Sequence, residues 1–293
     1  MDEWVHLSHL TKRFGAFTAL SDVSFQVHAG EVLGFIGPNG AGKSTTLRIL
    51  LGSIRADGGE ATIFGRDAWR DKLEIHKRLS YVPGDVALWG NLTGGEIIQL
   101  LLSLHGDANA QRRDALIDAF GLDTRKKAKS YSKGNRQKVG LIAALAAESD
   151  LYIFDEPTSG LDPLMEKVFQ DEVQRLKNDG KAVILSSHIL SEVDKLADSV
   201  AVIRQGRIVE TGTLDSLRHL TRTRIALTTA GDAAPLAALD GVHDFTQEGT
   251  RVHFSAESSA MPQILAAAGQ LPLEQFEAVP PTLEDLFMTH YTH

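Results

Sequence analysis

Apolar and polar residues alternate along "WVHLSHL", from Trp4, and "VSFQV", from Val23. That period of two predicts half-buried strands. "EVLGFI", from Glu31, is a continuous apolar run, as in a central strand covered on both faces. A helix is predicted from about Lys43 to Leu51, closed by Gly52. "ATIFG" and "RLSYVP" read as further strands. From about Gly94 to Ala147 the period changes. "GEIIQLLLSLHG", "AQRRDALIDAFGL" and "NRQKVGLIAALAA" all carry helical spacing, which predicts a helical insertion in an α/β chain. Strands then resume with "LYIFDE", "AVILSS" and "SVAVI", which read as buried parallel strands. "PLMEKVFQDEVQRLKNDG" predicts an amphipathic helix with a glycine stop. "VIRQGRIVETG" predicts a hairpin around Gln205 and Gly206.

Near Leu220 the texture shifts. "RIALTTA", "HDFTQ", "TRVHFSA" and "LEQFEAV" read as strands, and "APLAALD" and "MPQILAAAGQ" as short helices. The order β-α-β-β-α-β is ferredoxin-like. "PPTLEDLFMTHY" predicts a terminal helix after two prolines. The expected division is therefore into residues 1–219 and 220–293, with a helical subdomain at about 90–148.

The 293 residues fit one large or two ordinary domains. With 43% hydrophobic and 23% charged residues, the chain has the makings of a globular core. The absence of cysteine excludes disulfides, thiolate nucleophiles and cysteine metal sites. A formal net charge of -8 argues against a general nucleic-acid footprint, and no nucleic-acid partner is expected. "MDEWVHLSHL" is acidic and lacks an apolar h-region, so no signal peptide is expected. No apolar run approaches the roughly 18 residues needed to span a bilayer. If membranes matter here, another chain does the spanning.

Against this background, "GPNGAGKST" carries the first chemistry. Gly37, Pro38, Asn39, Gly40, Ala41, Gly42, Lys43 and Ser44 fit G-x-x-x-x-G-K-[ST], after a strand and before a helix. Glycines let the backbone curl and turn N–H groups inward. The helix start adds the positive end of its dipole. Lys43 supplies a charge for β- and γ-phosphates, Ser44 an oxygen for Mg²⁺, and Thr45 a bond to the α-phosphate. A glycine-rich structural turn is the alternative. It leaves unexplained why a lysine opens a helix where the dipole disfavours a cation.

"LYIFDEPTSGLDP" places two acids at the end of a buried strand. Asp155 is expected at the strand's C-terminal end, near the phosphate loop, where it can hold Mg²⁺ through water. Glu156 can polarise an attacking water. A helix N-cap at Asp155 is the alternative. His188 ends the next strand in "SSH", within expected reach of a γ-phosphate; a purely structural histidine is the alternative. "YSKGNRQKV" opens another helix, with Ser132 and the N–H of Gly134 expected to face outward as a second anion-binding helix start. It is not expected to reach its own phosphate loop.

Together these motifs resemble the nucleotide-binding subunit of an ABC transporter, over residues from about 4 to 215. The resemblance rests on "GPNGAGKST", "YSKGNRQ", "IFDEPTSGLD" and "SSH", in that order. It implies a phosphate-loop α/β cassette, with a mixed-sheet core, an antiparallel β subdomain and a helical subdomain, joined here to a small C-terminal α+β domain. It implies ATP and Mg²⁺ as ligands, with Glu156, His188 and Lys43 as catalytic groups. Phe14 in "LTKRFG" matches the adenine-stacking position; a core aromatic is the alternative. The family works as a head-to-tail dimer. Ser132, Lys133, Gly134 and Asn135 would then meet the partner copy's phosphate, and Asp162 would communicate across the interface. Hydrolysis drives a separate membrane permease, so the chain is expected at the cytoplasmic face of a membrane.

Three features depart from the family pattern. The usual signature L-S-G-G-Q is spelled Tyr131, Ser132, Lys133, Gly134, Asn135. Lys133 adds charge near the γ-phosphate, or is simply solvated. In "YVPGDVALWGNLTGGE" the usual glutamine is replaced by Gly84, with Asp85 or water and backbone as substitutes. In that loop Trp89 and Leu92 are candidates for the groove that receives a permease helix; packing inside the helical subdomain is the alternative. The tail beyond about 220 is not part of the ATPase core; it resembles that of exporter-type ATPases linked to drug, antibiotic and polyketide efflux. A soluble ATPase of translation or DNA repair is the competing class. It is disfavoured by the single phosphate loop and by the gap of about 90 residues to the signature, which lacks cysteines and sustained heptads.

Overall fold

The computed structural model describes residues 2–106, 109–218 and 222–279. Two compact units divide between Thr211 and Gly212, a little ahead of the expected 219/220.

In the first unit, β1 (Glu3–Phe14) and β2 (Phe17–His28) form an antiparallel pair. The chain continues through β3 (Val32–Ile36) into α1 (Lys43–Leu50). Next come β4 (Gly58–Ile63), β5 (Arg66–Asp67), α2 (Lys72–His76) and β6 (Leu79–Val82). The helical insertion is α3 (Gly94–His105), α4 (Ala110–Ala119) and α5 (Lys133–Ala146). Alternation resumes with β7 (Leu151–Asp155), α6 (Pro163–Asn178), β8 (Ala182–Ser187) and α7 (Leu190–Asp194). β9 (Ser199–Arg204) and β10 (Arg207–Thr213) complete it. Gln205 and Gly206 join these last two with φ of 49° and 74°, the turn geometry that suits a twisted hairpin.

One antiparallel sheet has the order β2-β1-β4-β5, and a six-stranded sheet has the order β10-β9-β3-β8-β7-β6. Within the larger sheet β9, β3, β8, β7 and β6 run parallel. Every residue of β3, β7 and β8 is buried, which explains their unbroken apolar runs. Phe154 meets Phe169 of α6 edge-on at 5.2 Å, a pair worth about 0.5–1.5 kcal/mol beyond its buried area. The register sets Ile36 beside Ser187 and Asp155 beside Ser186. The segments beginning at Gly37, Glu156 and His188 therefore leave the sheet side by side.

The second unit begins with α8 (Leu214–Arg218). β11 (Thr223–Thr229), α9 (Ala234–Ala237), β12 (Val242–Glu248) and β13 (Arg251–Ala256) follow, then α10 (Met261–Ala268) and β14 (Leu273–Val279). The sheet order is β12-β13-β11-β14, antiparallel throughout, which is the expected ferredoxin-like arrangement. Ile225, Leu227, Val252, Phe254 and Ile264 lie in its core. The expected terminal helix at "PPTLEDLFMTHY" lies outside the described residues.

Candidate functional site

The loop after β3 is drawn tight by Gly40 and Gly42, with φ of 79° and 117°. Gly42 is the N-cap residue of α1, a left-handed position that favours glycine. Lys43 follows and is only 5% exposed. Its Nζ donates to the carbonyls of Gly37 at 2.5 Å and Pro38 at 3.3 Å, and lies 4.0 Å from Glu156 Oε1. Burial pushes the Lys43 pKa down, while Glu156 and Asp155 pull it back up. A cation at a helix start is thus held by carbonyls of its own loop and attracted by the carboxylates at the end of β7, on the far side of β8 in the sheet.

Asp155 closes β7. One of its oxygens accepts from Ser44 Oγ at 3.4 Å and the other from Ser186 Oγ. Asp155 is not the cap of α6; Asp162 is, accepting from Met165 N at 3.0 Å with Pro163 next in line. Ser44 and Asp155 present adjacent hard oxygens, which fits Mg²⁺. That ion uses one or two protein oxygens and fills its remaining positions with phosphate and water. Among the described residues no cluster of three or more His, Cys, Asp or Glu could hold a metal, so this pair fits a cation shared with a phosphate ligand.

Glu156 adopts φ of 48°, strained for a residue with a side chain. Its Oε1 lies 3.2 Å from His188 Nδ1. Lys43, Glu156 and His188 therefore meet at one edge of the sheet. Behind them stands Glu192, which the sequence reading missed. Its two oxygens accept from Thr158 Oγ1 at 2.8 Å and Ser187 Oγ at 3.0 Å, tying the turn after Glu156 to the residue before His188.

A cavity of about 290 Å³ opens over the phosphate loop, with Phe17 and Ala19 on one side and Asn39, Lys43, Thr45 and Glu156 among the others lining it. Phe14 is not among its lining residues. Phe14 and Phe17 pair across the β1–β2 turn, and the Lys12 ammonium lies 5.3 Å from the Phe14 ring centroid. Phe17 is 64% exposed. The aromatic ring beside the phosphate loop is thus Phe17, three residues from the expected position.

At the start of α5, Ser132 is exposed and its side chain accepts from Asn135 N at 3.3 Å. Gly134 is buried: a Cβ there would sit 2.2 Å from the Gly160 carbonyl oxygen. Lys133 Nζ donates to Ser159 Oγ at 2.6 Å. Tyr131 is a packing residue, 5% exposed, whose hydroxyl donates to the Asp123 carbonyl at 2.7 Å.

Gly84 lies close under the same edge, where a Cβ would be 3.1 Å from the Asp155 carbonyl oxygen. A side chain there would crowd the end of β7, and Asp85 is exposed. Trp89 is 52% exposed, so it does not pack inside the helical subdomain; Leu92 is half-buried.

The ABC transporter family matches residues 20–159, and the C-terminal domain of DrrA1-3-like ATP-binding proteins matches residues 212–291. Over 262 residues the chain is 34% identical to the daunorubicin/doxorubicin resistance ATP-binding protein DrrA of Streptomyces peucetius, covering 88% of this chain and 79% of that protein. It is similar to the solved structure of an ATP-binding subunit of an ABC transporter, with a TM-score of 0.70 and 32% identity over 74% of this chain and 92% of that one. A dimeric ATP-binding cassette, in a post-hydrolysis state bound to ADP and Pi, gives a TM-score of 0.65 and 25% identity, over 72% of this chain and 98% of that one.

Proposed function

The chain belongs to the ABC transporter family as an ATP-binding subunit, and from that premise we propose that two copies close head to tail around two MgATP to power a separate membrane permease. The direction is export of a drug-like, antibiotic or lipid-like substrate, a reading supported by the similarity to a daunorubicin/doxorubicin resistance protein. The convergence of Lys43, Glu156 and His188 over the phosphate loop carries the proposal.

In this reading the loop backbone, Lys43 and Thr45 hold the phosphates, and Phe17 offers its ring to the base. Ser44 and Asp155 would hold Mg²⁺, which when bound would supply neutralising charge to the phosphates. Glu156 takes a proton from the attacking water, and His188 orients that carboxylate and reaches the γ-phosphate. Ser132 and Asn135 meet the phosphate of the second copy. Asp162, which caps α6, communicates between copies. Closure needs contacts that only the ATP-bound pair can make, which is how binding and hydrolysis become motion. Trp89 is offered to a helix of the permease. Among the described residues no helix is long and apolar enough to cross a membrane, and the chain would sit at the cytoplasmic face through its permease.

The test is Glu156→Gln. ATP turnover should fall by about 10²–10⁴-fold, the range for a lost general base, while light scattering finds a two-copy species with MgATP. Used as bait in native membranes, this variant should retain a polytopic membrane chain in stoichiometric yield. Near-normal turnover overturns the assignment of Glu156. Ribosomal or DNA-repair partners without a membrane chain overturn transport.

A further inference from the structure

The turn that carries Glu156 is held from two sides. On one side Glu192 grips Thr158 and Ser187. On the other, Lys133 at the start of α5 donates to Ser159. Ser159 is close in the chain to the base: its N–H donates to the Glu156 carbonyl at 3.2 Å. The tie at Ser159 therefore bears on the turn from which the carboxylate projects.

Lys133 is an odd choice for this place. It is the first residue of a 14-residue helix, where the helix dipole disfavours a cation. Among the described residues no carboxylate pairs with it. Lys133 is exposed, yet its ammonium folds back to lie 2.6 Å from a neutral hydroxyl. The adjoining contact runs the same way, since Gly134 lies bare against the Gly160 carbonyl. Two successive residues thus fasten the helix start to the turn within one chain. The usual signature has glycine where Lys133 stands, so the side-chain tie belongs to this chain's own spelling.

We propose that Lys133 is a positioning residue for hydrolysis, acting through Ser159 to hold the turn that aims Glu156. A movement of α5 is then felt at the base through the Lys133–Ser159 bond. The inference rests on Glu156 being the base, as proposed above.

The test uses the full chain and four variants: Lys133→Met, Lys133→Arg, Ser159→Ala and the double Lys133→Met/Ser159→Ala. Lys133→Met and Ser159→Ala should each lower kcat for ATP hydrolysis by about three- to tenfold, the effect of losing one ordinary solvent-exposed hydrogen bond, with KM little changed. The double variant should be no worse than either single one, because both remove the same bond. Lys133→Arg should restore most of the rate. Wild-type kcat in Ser159→Ala, or effects that multiply in the double variant, would overturn the proposal. Should Lys133→Met not fold, Ser159→Ala and Lys133→Arg decide the matter alone. ATP-dependent pairing of Glu156→Gln is measured in parallel. If pairing and its loss of turnover hold while the Lys133 pattern fails, only this inference falls; if they fail, the reading beneath it falls too.

Discussion

The two units treat the ends of their strands differently. In the first, buried strands run out into groups that apolar packing cannot satisfy: Lys43 beyond β3, Asp155 and Glu156 at β7, and His188 beyond β8. One of these, Glu156, sits in a left-handed conformation at φ of 48°. In the second unit, β11 and β13 alternate inward apolar and outward polar residues over one apolar core. Thr229, buried there, is satisfied locally, bonding to the Pro272 carbonyl at 3.2 Å and accepting from Gly231 N at 3.0 Å. Among the described residues its one non-glycine positive φ, at Asp244, falls at an irregularity in β12. Where polar groups converge against the packing, the fold is arranged for a ligand; where alternation is regular, it is arranged for a core.

The hardest strike at this contrast is Phe254→Ala. Phe254 is 4% exposed in the core of the second unit, and deleting a buried ring costs about 3–5 kcal/mol. Urea unfolding should show that loss, while MgATP affinity stays within about twofold of the parent. A collapse of nucleotide binding in a variant whose second unit alone was struck would mean that the two units do not divide packing from chemistry.

A second, smaller effect sharpens the contrast inside the first unit. If the ring lining the phosphate-loop cavity stacks on the base, Phe17→Ala weakens nucleotide binding by about 1–3 kcal/mol, the range for base–aromatic stacking. Phe14→Ala should change it by under about twofold. Titration with a fluorescent ATP analogue ranks the two; the opposite ranking restores Phe14 to the base.

Such a choice could not be made from the sequence. Phe14 and Phe17 face each other across the β1–β2 turn, and only the three-dimensional approach of that turn to the phosphate loop brings Phe17 to the cavity wall. Glu192 was equally hidden, because its partners Thr158 and Ser187 are set by the packing of α7, a five-residue helix too short to carry a period. The burial of Gly134 depends on the approach of Gly160 from another element. By contrast, the phosphate loop, the strand ends at Asp155 and His188, and the ferredoxin-like order could be read directly. There the chemistry or the alternation fixes residue type and spacing within a few positions. What was legible is local; what was not depends on which elements come together.

The smallest effect concerns Lys43, where the two kinds of region meet in one side chain. Burial holds its pKa below the ordinary 10.5, and the attraction of Glu156 and Asp155 is the lesser influence. A lysine depressed in this way binds its proton more weakly in the folded chain than in the unfolded one. Between the folded value and 10.5, then, the unfolded chain carries more protons, and stability rises with pH on this group's account. At neutral pH the buried charge opposes folding. Lys43→Met keeps the stem and removes the charge, so it should unfold at higher urea than the parent near neutral pH. That advantage should shrink as pH climbs toward 10.5, while other groups titrate alike in both proteins and cancel. An advantage that stayed flat with pH would mean that the two carboxylates offset burial in full. A variant less stable than its parent would mean that the carbonyls of Gly37 and Pro38 need the ammonium more than the core resists it. In either case the phosphate loop would be at rest without its ligand, and among the groups that converge at the site the backbone strain would lie at Glu156, with its φ of 48°.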